Sequence, residues 1–357
     1  MRMRVKRREF LSGLAAVGAV AFVPDVLKPG QQAPPAAPGA GAARRIVDTH
    51  YHYASPAYRA VLRPLNTGQT GLIEWDETKA LEDMDKYGVA TSMLSISEPG
   101  VHFGDDAKAR ALARDCNDFG AKLIAKYPGR FGLFAILPLP DVDGSLKEIA
   151  YAYDTLKADG VCFMSSYPGF GKYQGNKYLG DPLFVPVMEE LNRRKAIAYT
   201  HPFRAEPLYS LLPDRRAMGI VLSTDTTVTI ESILDNDTAT KFPDIRFIWS
   251  HGGGTMPYIT GRFGATKGPD GKPNARLATL QRFYYDTAQA FNSFTLESFT
   301  KLIANSHILF GSDYLGNAGS AGNVVKGLDS YTGFTPAQRQ AIYRDNALEL
   351  IPRLKRT

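Results

Sequence analysis

Cysteine is nearly absent from this chain of 357 residues, which contains only Cys116 and Cys162. Two cysteines are too few for a disulfide framework, and both lie in apolar stretches of predicted elements, so we expect buried free thiols. Long apolar runs are missing as well. The stretch Leu11–Val23 has thirteen residues, which is too short to span a bilayer as a stable helix. We therefore expect no stable membrane insertion of the mature protein.

The first 43 residues lack the pattern of a folded domain. The run Lys6-Arg7-Arg8-Glu9-Phe10-Leu11 precedes the apolar stretch, which is the layout of a secretory signal, and its paired arginines resemble a twin-arginine export signal. Residues 24–43 are mostly Pro, Ala, Gly and Gln, a composition that cannot bury a core and predicts a flexible linker. We expect a bacterial protein exported to the periplasm or the medium, with residues 44–357 forming a single catalytic domain.

An excess of positive charge is also absent from the predicted mature domain. Residues 1–45 contain eight of the 42 Lys and Arg residues and two of the 36 acidic residues, so 34 of each remain. The formal net charge of +6 therefore derives from the N-terminal segment. Because nucleic-acid binding requires a basic surface, this balance excludes a nucleic-acid partner and favours a small-molecule substrate.

Short apolar runs alternate with longer amphipathic stretches along the rest of the chain. Eight such runs predict parallel strands that are covered by helices: Arg45–His52, Ala90–Ser97, Arg130–Pro138, Gly160–Ser166, Ala196–His201, Arg246–His251, Phe283–Ala288 and Ile308–Asp313. The intervening stretches Glu77–Tyr87, Asp105–Tyr127, Ser145–Asp159 and Pro182–Lys195 predict helices. Eight repeats of this alternation indicate an α/β fold, the (β/α)₈ TIM barrel.

Four of the six histidines stand at the carboxyl ends of predicted strands: His50, His52, His201 and His251. Asp313 ends the eighth strand. The carboxyl ends of barrel strands meet at one mouth, where catalytic residues gather. Imidazoles with a carboxylate suit a borderline divalent ion such as Zn²⁺, and a buried aspartate needs a cation or donors to compensate its charge. The sequence therefore predicts one divalent metal, with zinc favoured and manganese as the alternative.

The motifs at these strand ends resemble the amidohydrolase superfamily, within the amidohydrolase-related family 2. They are Asp48-Thr49-His50-Tyr51-His52, His201-Pro202, His251-Gly252-Gly253-Gly254 and Gly311-Ser312-Asp313-Tyr314. In this order they resemble the branch that contains aminocarboxymuconate-semialdehyde decarboxylase and the resorcylate and methylsalicylate decarboxylases. The resemblance implies that His50, His52, His201 and Asp313 bind one metal and that His251 is a catalytic acid or base.

Departures from the superfamily's patterns narrow the expected activity. Many hydrolytic members bridge two metals through a carboxylated lysine at the end of strand four, whereas this strand ends in Met164-Ser165-Ser166. One metal is therefore expected. The substrate arginine that the semialdehyde decarboxylase carries after strand one has no convincing match in Arg59 or Arg63, which argues against that semialdehyde as the substrate.

Several further residues are candidates for binding a substrate carboxylate or ring. The resemblance implies that Arg262 reaches into the site of a second subunit, so we expect a homodimer; the alternative for Arg262 is an ordinary salt bridge on the helix surface. Arg204 follows His201 and has the charge to pair with a substrate carboxylate or with Glu206, and Phe203 suits an aromatic ring. Asp286 ends strand seven and is expected to support His251 or Arg262.

The leading hypothesis is metal-dependent, non-oxidative decarboxylation of a hydroxylated aromatic or unsaturated carboxylic acid, with His251 or Asp313 delivering a proton. The alternative is a single-metal hydrolase, acting on a lactone or amide, or a hydratase that uses metal-bound water. A binding protein with a structural metal is a third hypothesis. Structural zinc sites are closed and often rich in cysteine, so an open site at a barrel mouth argues against it.

Overall fold

The computed structural model describes residues 45–65, 70–169, 173, 175–204, 218–315 and 320–356. The predicted export signal and linker, residues 1–43, lie outside these ranges, as does Glu206. Residues from Arg44 to the C-terminus cluster as one unit. Among the described residues, no helix has the length and apolar character needed to cross a membrane.

Eight parallel strands form a barrel in which each strand pairs with the next along the chain. They are β1 (Ile46–His52), β2 (Val89–Ser95), β3 (Phe131–Ile136), β4 (Gly160–Met164), β5 (Ile197–His201), β6 (Arg246–Trp249), β7 (Tyr284–Asp286) and β8 (Ile308–Leu309). The eight predicted strands and the (β/α)₈ fold are confirmed. Several strands are shorter than predicted, because the chain turns towards the site before the apolar run ends.

The barrel is nearly closed by backbone contacts between β1 and the residues that follow β8. The Thr49 amide donates to the Phe310 carbonyl at 2.9 Å, and the Asp313 amide donates to the His50 carbonyl at 3.0 Å. Tyr51 and Tyr314 form a parallel bridge, and their rings stack with centroids 4.4 Å apart. These contacts form a seam beside the candidate metal ligands.

Helices surround the barrel: α1 (Pro56–Leu62), α2 (Thr70–Ile73), α3 (Glu77–Tyr87), α4 (Asp106–Lys126), α5 (Val142–Asp154), α6 (Val185–Arg193), α7 (Met218–Asp235), α8 (Thr238–Lys241), α9 (Met256–Ile259), α10 (Ala275–Arg282), α11 (Ser293–Leu302), α12 (Ser320–Ser330), α13 (Pro336–Gln340) and α14 (Asn346–Leu350). The helix predicted over Ser145–Asp159 instead spans Val142–Asp154. The predicted and observed bounds agree for α3, Glu77–Tyr87, and capping residues in the sequence explain why. Asp76 accepts hydrogen bonds from Thr78 and Lys79, and Gly88, at φ 72°, ends α3.

The core continues from the barrel interior to the inner faces of the helices. All residues of β3, β4 and β5 are buried, as expected of strands that are covered on both sides. Inside the barrel, the Tyr199 ring stacks on Phe134 and meets His50 edge-on, with both centroid distances 5.4 Å. Aromatic rings therefore pack directly beneath the histidines in the barrel interior. Cys116 and Cys162 are buried free thiols, as predicted.

Candidate metal centre and active site

Five side chains meet at the carboxyl-terminal mouth of the barrel: His50, His52, His201, His251 and Asp313. Ligand atoms of four of them, all except His52, lie within 4.8 Å of one another. The Nε2 atom of His52 is 3.0 Å from His50 Nε2 and 3.5 Å from Asp313 Oδ1. The structure thus brings together all the metal-binding and catalytic residues that the sequence nominates.

Local backbone geometry aims these side chains at one point. His50 and His52 are two residues apart on β1, so both face the barrel interior, and both are fully buried. His251 and Asp313 follow β6 and β8 in the left-handed region, with φ values of 53° and 59°. Non-glycine residues rarely adopt this conformation, and it concentrates at functional sites. It turns the chain so that each side chain points over the mouth.

Three imidazoles are fixed from behind through their Nδ1 atoms. His50 Nδ1 lies 2.8 Å from Asp286 Oδ2. His52 Nδ1 lies 3.0 Å from Ser95 Oγ, whose hydroxyl donates to the Tyr51 carbonyl, so the imidazole is the donor here. His201 Nδ1 lies 2.9 Å from the Pro202 carbonyl. Because these acceptors assign the proton to Nδ1, each Nε2 presents a lone pair to the centre.

Burial and charge set the protonation of the cluster. Burial lowers the pKa of His52 to about 4 and that of His201 well below its ordinary value. Burial would also lower the pKa of His50, but the carboxylates of Asp286 and Asp313 raise it to about 10. Burial opposes ionisation of Asp313, yet His50 and its neighbours hold the pKa of Asp313 well below the usual range. The cluster therefore contains neutral imidazoles at His52 and His201 and a carboxylate at Asp313, while the two carboxylates beside His50 favour a proton or a cation at its Nε2.

This donor set fits a divalent cation. Neutral imidazole nitrogens and a carboxylate oxygen are the ligands of borderline ions such as Zn²⁺ and Mn²⁺. Two lone pairs 3.0 Å apart on His50 and His52 repel each other unless a proton or a cation lies between them. The interior-facing residue at the end of β4 is Met164, so the mouth provides no lysine at that position for a second metal.

Asp286 contacts two members of the cluster. Its Oδ1 accepts hydrogen bonds from the backbone amides of His251 and Ala288, both at 3.0 Å, while its Oδ2 binds the His50 ring. The sequence predicted support of His251 or Arg262 by this residue. In the structure Asp286 supports His251 through the backbone, and its side-chain partner is His50.

The predicted substrate-binding residues occupy different positions. Phe203 follows β5 at the mouth. The Arg204 guanidinium pairs with the buried Glu98 carboxylate, and the Arg204 amide also donates to Glu98 at 3.1 Å. Glu98 is thus a partner of Arg204 among the described residues, and the partner considered in the sequence, Glu206, lies outside them. Arg262 lies on an exposed 3₁₀ turn, Thr260–Phe263, outside the cluster.

An apolar recess opens beside His201. Its walls come from the ends of β2 to β5, and they include Val101, Ile136, Leu137, Leu139, Met164 and Phe203. Met164 pairs in register with His201 across β4 and β5, so its side chain points to the same interior face. The cavity volume is about 10 Å³, which is room for about one group of the size of a water molecule. The polar cluster and the apolar recess are therefore adjacent.

Sequence reasoning missed three polar residues that shape the site, and it did not pair Glu98 with Arg204. Ser95 holds His52, Glu98 holds Arg204, Asp225 accepts from the Phe203 amide, and the Gln289 side chain donates to Asp313 at 3.2 Å. None of them belongs to a motif with a fixed spacing. Ser95 and Glu98 lie at the end of the second predicted strand or just beyond it. Their position at the end of a predicted strand was the one feature of the sequence that could have placed Ser95 and Glu98 at the mouth.

Comparisons with known proteins agree with this geometry. The family model described as Amidohydrolase matches residues 47–353. The chain is 33% identical over 333 residues to a 6-methylsalicylic acid decarboxylase from Penicillium expansum, covering 87% of this chain and 97% of that protein. An amidohydrolase crystal structure superposes with a TM-score of 0.76 at 27% identity, covering 86% of this chain and 99% of that one. A Polaromonas dihydroxybenzoic acid decarboxylase with bound manganese and 2-nitroresorcinol has the same fold, with a TM-score of 0.73, 22% identity, and coverage of 88% and 98%.

Substituting Asp286 with asparagine is expected to weaken metal binding by about 10–100-fold, because the amide cannot fix His50 in the tautomer that directs Nε2 inward. Competition between the purified protein and a zinc chelator measures the affinity. Asp270→Asn, which changes an exposed carboxylate, is the control and should bind zinc as the wild type does. Equal affinities of D286N and the wild type would contradict the role assigned to Asp286.

Proposed function

We propose, from the premise that this chain belongs to the amidohydrolase family, that its substrate is a hydroxylated aromatic carboxylic acid with a small apolar substituent. The protein is a metal-dependent, non-oxidative decarboxylase. Its similarity to a 6-methylsalicylic acid decarboxylase extends over 87% of the chain. The finer assignment of the substrate is supported by one observation, a small apolar recess whose wall residue Met164 pairs in register with His201 of the imidazole–carboxylate cluster.

We assign His50, His52, His201 and Asp313 as the metal ligands and propose zinc as the ion. Imidazole-rich sites suit zinc, and manganese is the alternative because a decarboxylase of the same fold holds it. When bound, the cation supplies positive charge that orients the substrate's carboxylate and neighbouring hydroxyl and stabilises developing negative charge. The recess beside Met164 then receives the substituent on the ring.

His251 is proposed as the proton donor. Its Nε2 lies 3.4 Å from Asp313 Oδ2, and its backbone is held by Asp286. The bond between the ring carbon and the carboxylate breaks, CO₂ leaves, and the electron pair stays on that carbon. A proton from the protonated His251 forms the new C–H bond, and solvent then reprotonates the imidazole. Asp313 is the alternative donor, but its depressed pKa favours His251.

A homodimer is proposed because exposed aromatic side chains lie close to Arg262 in the chain and in the fold. Tyr258 on α9 and Phe294 on α11 are 87% and 88% exposed, and these two helices pack against each other. Exposed aromatic patches are typical of protein interfaces. Arg262 has no ion pair within the described residues, whereas Glu98 compensates the charge of Arg204. Arg262 from a partner subunit is therefore the favoured carboxylate anchor.

We also propose that the protein is exported, as its twin-arginine-like N-terminus suggests. This location would place the decarboxylase where it meets aromatic acids outside the cytoplasm.

Turnover by the protein loaded with Zn²⁺ or Mn²⁺ is expected to yield a product lighter by CO₂. Mass spectrometry of reactions with hydroxybenzoates, muconate derivatives, lactones and simple esters measures this outcome. His251→Ala should reduce the rate by at least about 100-fold, because it removes the proton donor. A product heavier by one water would replace decarboxylation with hydrolysis or hydration.

Met164→Ala is expected to enlarge the recess and to shift preference towards longer substituents. The ratio of kcat/KM for ethyl-bearing to methyl-bearing hydroxybenzoates should rise by about 10-fold or more. Met188→Ala removes an equally buried methionine from α6 and controls for lost stability, which should be about 2–5 kcal/mol in both variants. An unchanged ratio in M164A would show that the recess does not receive the substituent.

Phe294→Asp is expected to convert the dimer into a monomer, because it places a charge in the proposed interface. Sedimentation velocity reports the assembly. Arg262→Ala, in contrast, should remain dimeric and lose about 10–100-fold in kcat/KM through the missing carboxylate contact. A wild-type protein that sediments as a monomer would refute the shared site.

Replacing Arg7 and Arg8 together by lysine is expected to retain the protein in the cytoplasm. The substitution keeps the positive charge, which a general secretory signal needs, and removes the arginine pair that the twin-arginine signal requires. Fractionation of expressing cells followed by immunoblotting gives the location. Undiminished export of the double variant would favour a general secretory signal.

A further inference from the structure

Asp225 is a fully buried carboxylate on α7, outside the metal cluster. Its two oxygens have different partners. Oδ1 accepts a hydrogen bond from the Ser166 hydroxyl at 2.7 Å. Oδ2 accepts from the Ser165 hydroxyl and from the Phe203 amide, the latter at 2.9 Å. The carboxylate therefore joins the end of β4 to the segment that follows β5.

The two partners of Oδ2 lie on either side of the metal-ligand candidate His201. On one side, the backbone amide of Ser165 donates to the His201 carbonyl at 2.8 Å. On the other, Phe203 is two residues beyond His201. The Thr229 hydroxyl, one turn further along α7, also donates to the Ser165 carbonyl at 2.9 Å. A single oxygen atom is thus linked to the backbone just after the His201 side chain by two routes, through Ser165 to the His201 carbonyl and directly to the Phe203 amide.

Asparagine, which has nearly the same shape as aspartate, could not accept all three of these hydrogen bonds. A carboxylate offers two acceptor oxygens and no donor, whereas an asparagine offers one acceptor oxygen and an NH₂ group that would face donors. Burial raises the pKa of Asp225 to about 6, so the charge is costly to keep. Within the described residues its compensation comes from neutral donors, with no ion pair.

We infer that Asp225 is a positioning residue that holds His201 at the geometry needed to bind the metal. The inference rests on the proposed metal-binding role of His201. Arg204, the residue after Phe203, is held by Glu98. The segment from His201 to Arg204 is therefore restrained by two buried carboxylates, of which Asp225 is the one adjacent to the ligand.

Asp225→Asn tests the inference by metal affinity. Competition with a zinc chelator, at a temperature well below the unfolding midpoint of each variant, should show affinity reduced by about 10–100-fold, the usual effect of removing a support behind a ligand. Equilibrium unfolding in urea is measured in parallel. A variant that is destabilised but binds zinc like the wild type would show a purely structural role and overturn the inference.

Two serine variants provide a matched pair that separates the two oxygens. Ser165 and Ser166 are both fully buried and donate to the same carboxylate. Ser165→Ala removes a partner of Oδ2 and should weaken zinc binding. Ser166→Ala removes the partner of Oδ1 and should leave zinc binding near the wild-type value. Equal losses in both variants would overturn the inference, and this comparison decides the question if D225N does not fold.

These measurements use no substrate, so they are independent of the reaction. A wild-type protein that binds zinc but releases no CO₂ would defeat the proposed function and leave the role of Asp225 standing. Wild-type zinc affinity in D225N would defeat the role of Asp225 and leave the proposed function standing.

Discussion

The carboxylate of Asp286 fixes two parts of the site at once, and the rest of the mouth is arranged around it. One oxygen holds the His50 ring at 2.8 Å, and the other holds the His251 backbone at 3.0 Å. Such close packing requires a glycine at position 311, where a Cβ atom would lie 2.8 Å from His50 and 2.9 Å from Asp286. The Gly-Ser-Asp motif thus contributes space as well as Asp313, a proposed metal ligand.

Two of the six described non-glycine residues with positive φ, His251 and Asp313, have their side chains in the centre. Positive φ values at His251 and Asp313 cost about 1–3 kcal/mol each. Each strained residue is tied to a neighbouring strand by its own amide, His251 to Asp286 and Asp313 to the His50 carbonyl. The rigid barrel therefore maintains conformations that the isolated segments would not adopt.

The sequence predicted the barrel, its eight strands and the convergence of His50, His52, His201, His251 and Asp313. These features follow from the pattern of apolar residues and from the position of polar residues along it. Apolar runs define the strands, and the carboxyl ends of the strands define the mouth of the barrel. The residues that hold these side chains in place could not be predicted in the same way. Asp225 lies on a helix some 24 residues beyond His201 in the chain, and only the packing of α7 against the ends of β4 and β5 brings its carboxylate there. The pairing of Arg204 with Glu98 likewise depends on loop conformations that no local pattern encodes.

The location of the proposed ligands would link metal binding to closure of the barrel. His50 and His52 lie on β1 and Asp313 follows β8, so these three residues stand on opposite sides of the seam that backbone hydrogen bonds join. A cation held by all three would cross-link that seam. Because a ligand that binds only the folded state stabilises it by mass action, such a metal would contribute to the stability of the barrel as well as to its chemistry. The apolar recess is formed by the ends of β2 to β5, away from the seam. Substitutions in the recess can therefore change its shape without disturbing the closure of the barrel.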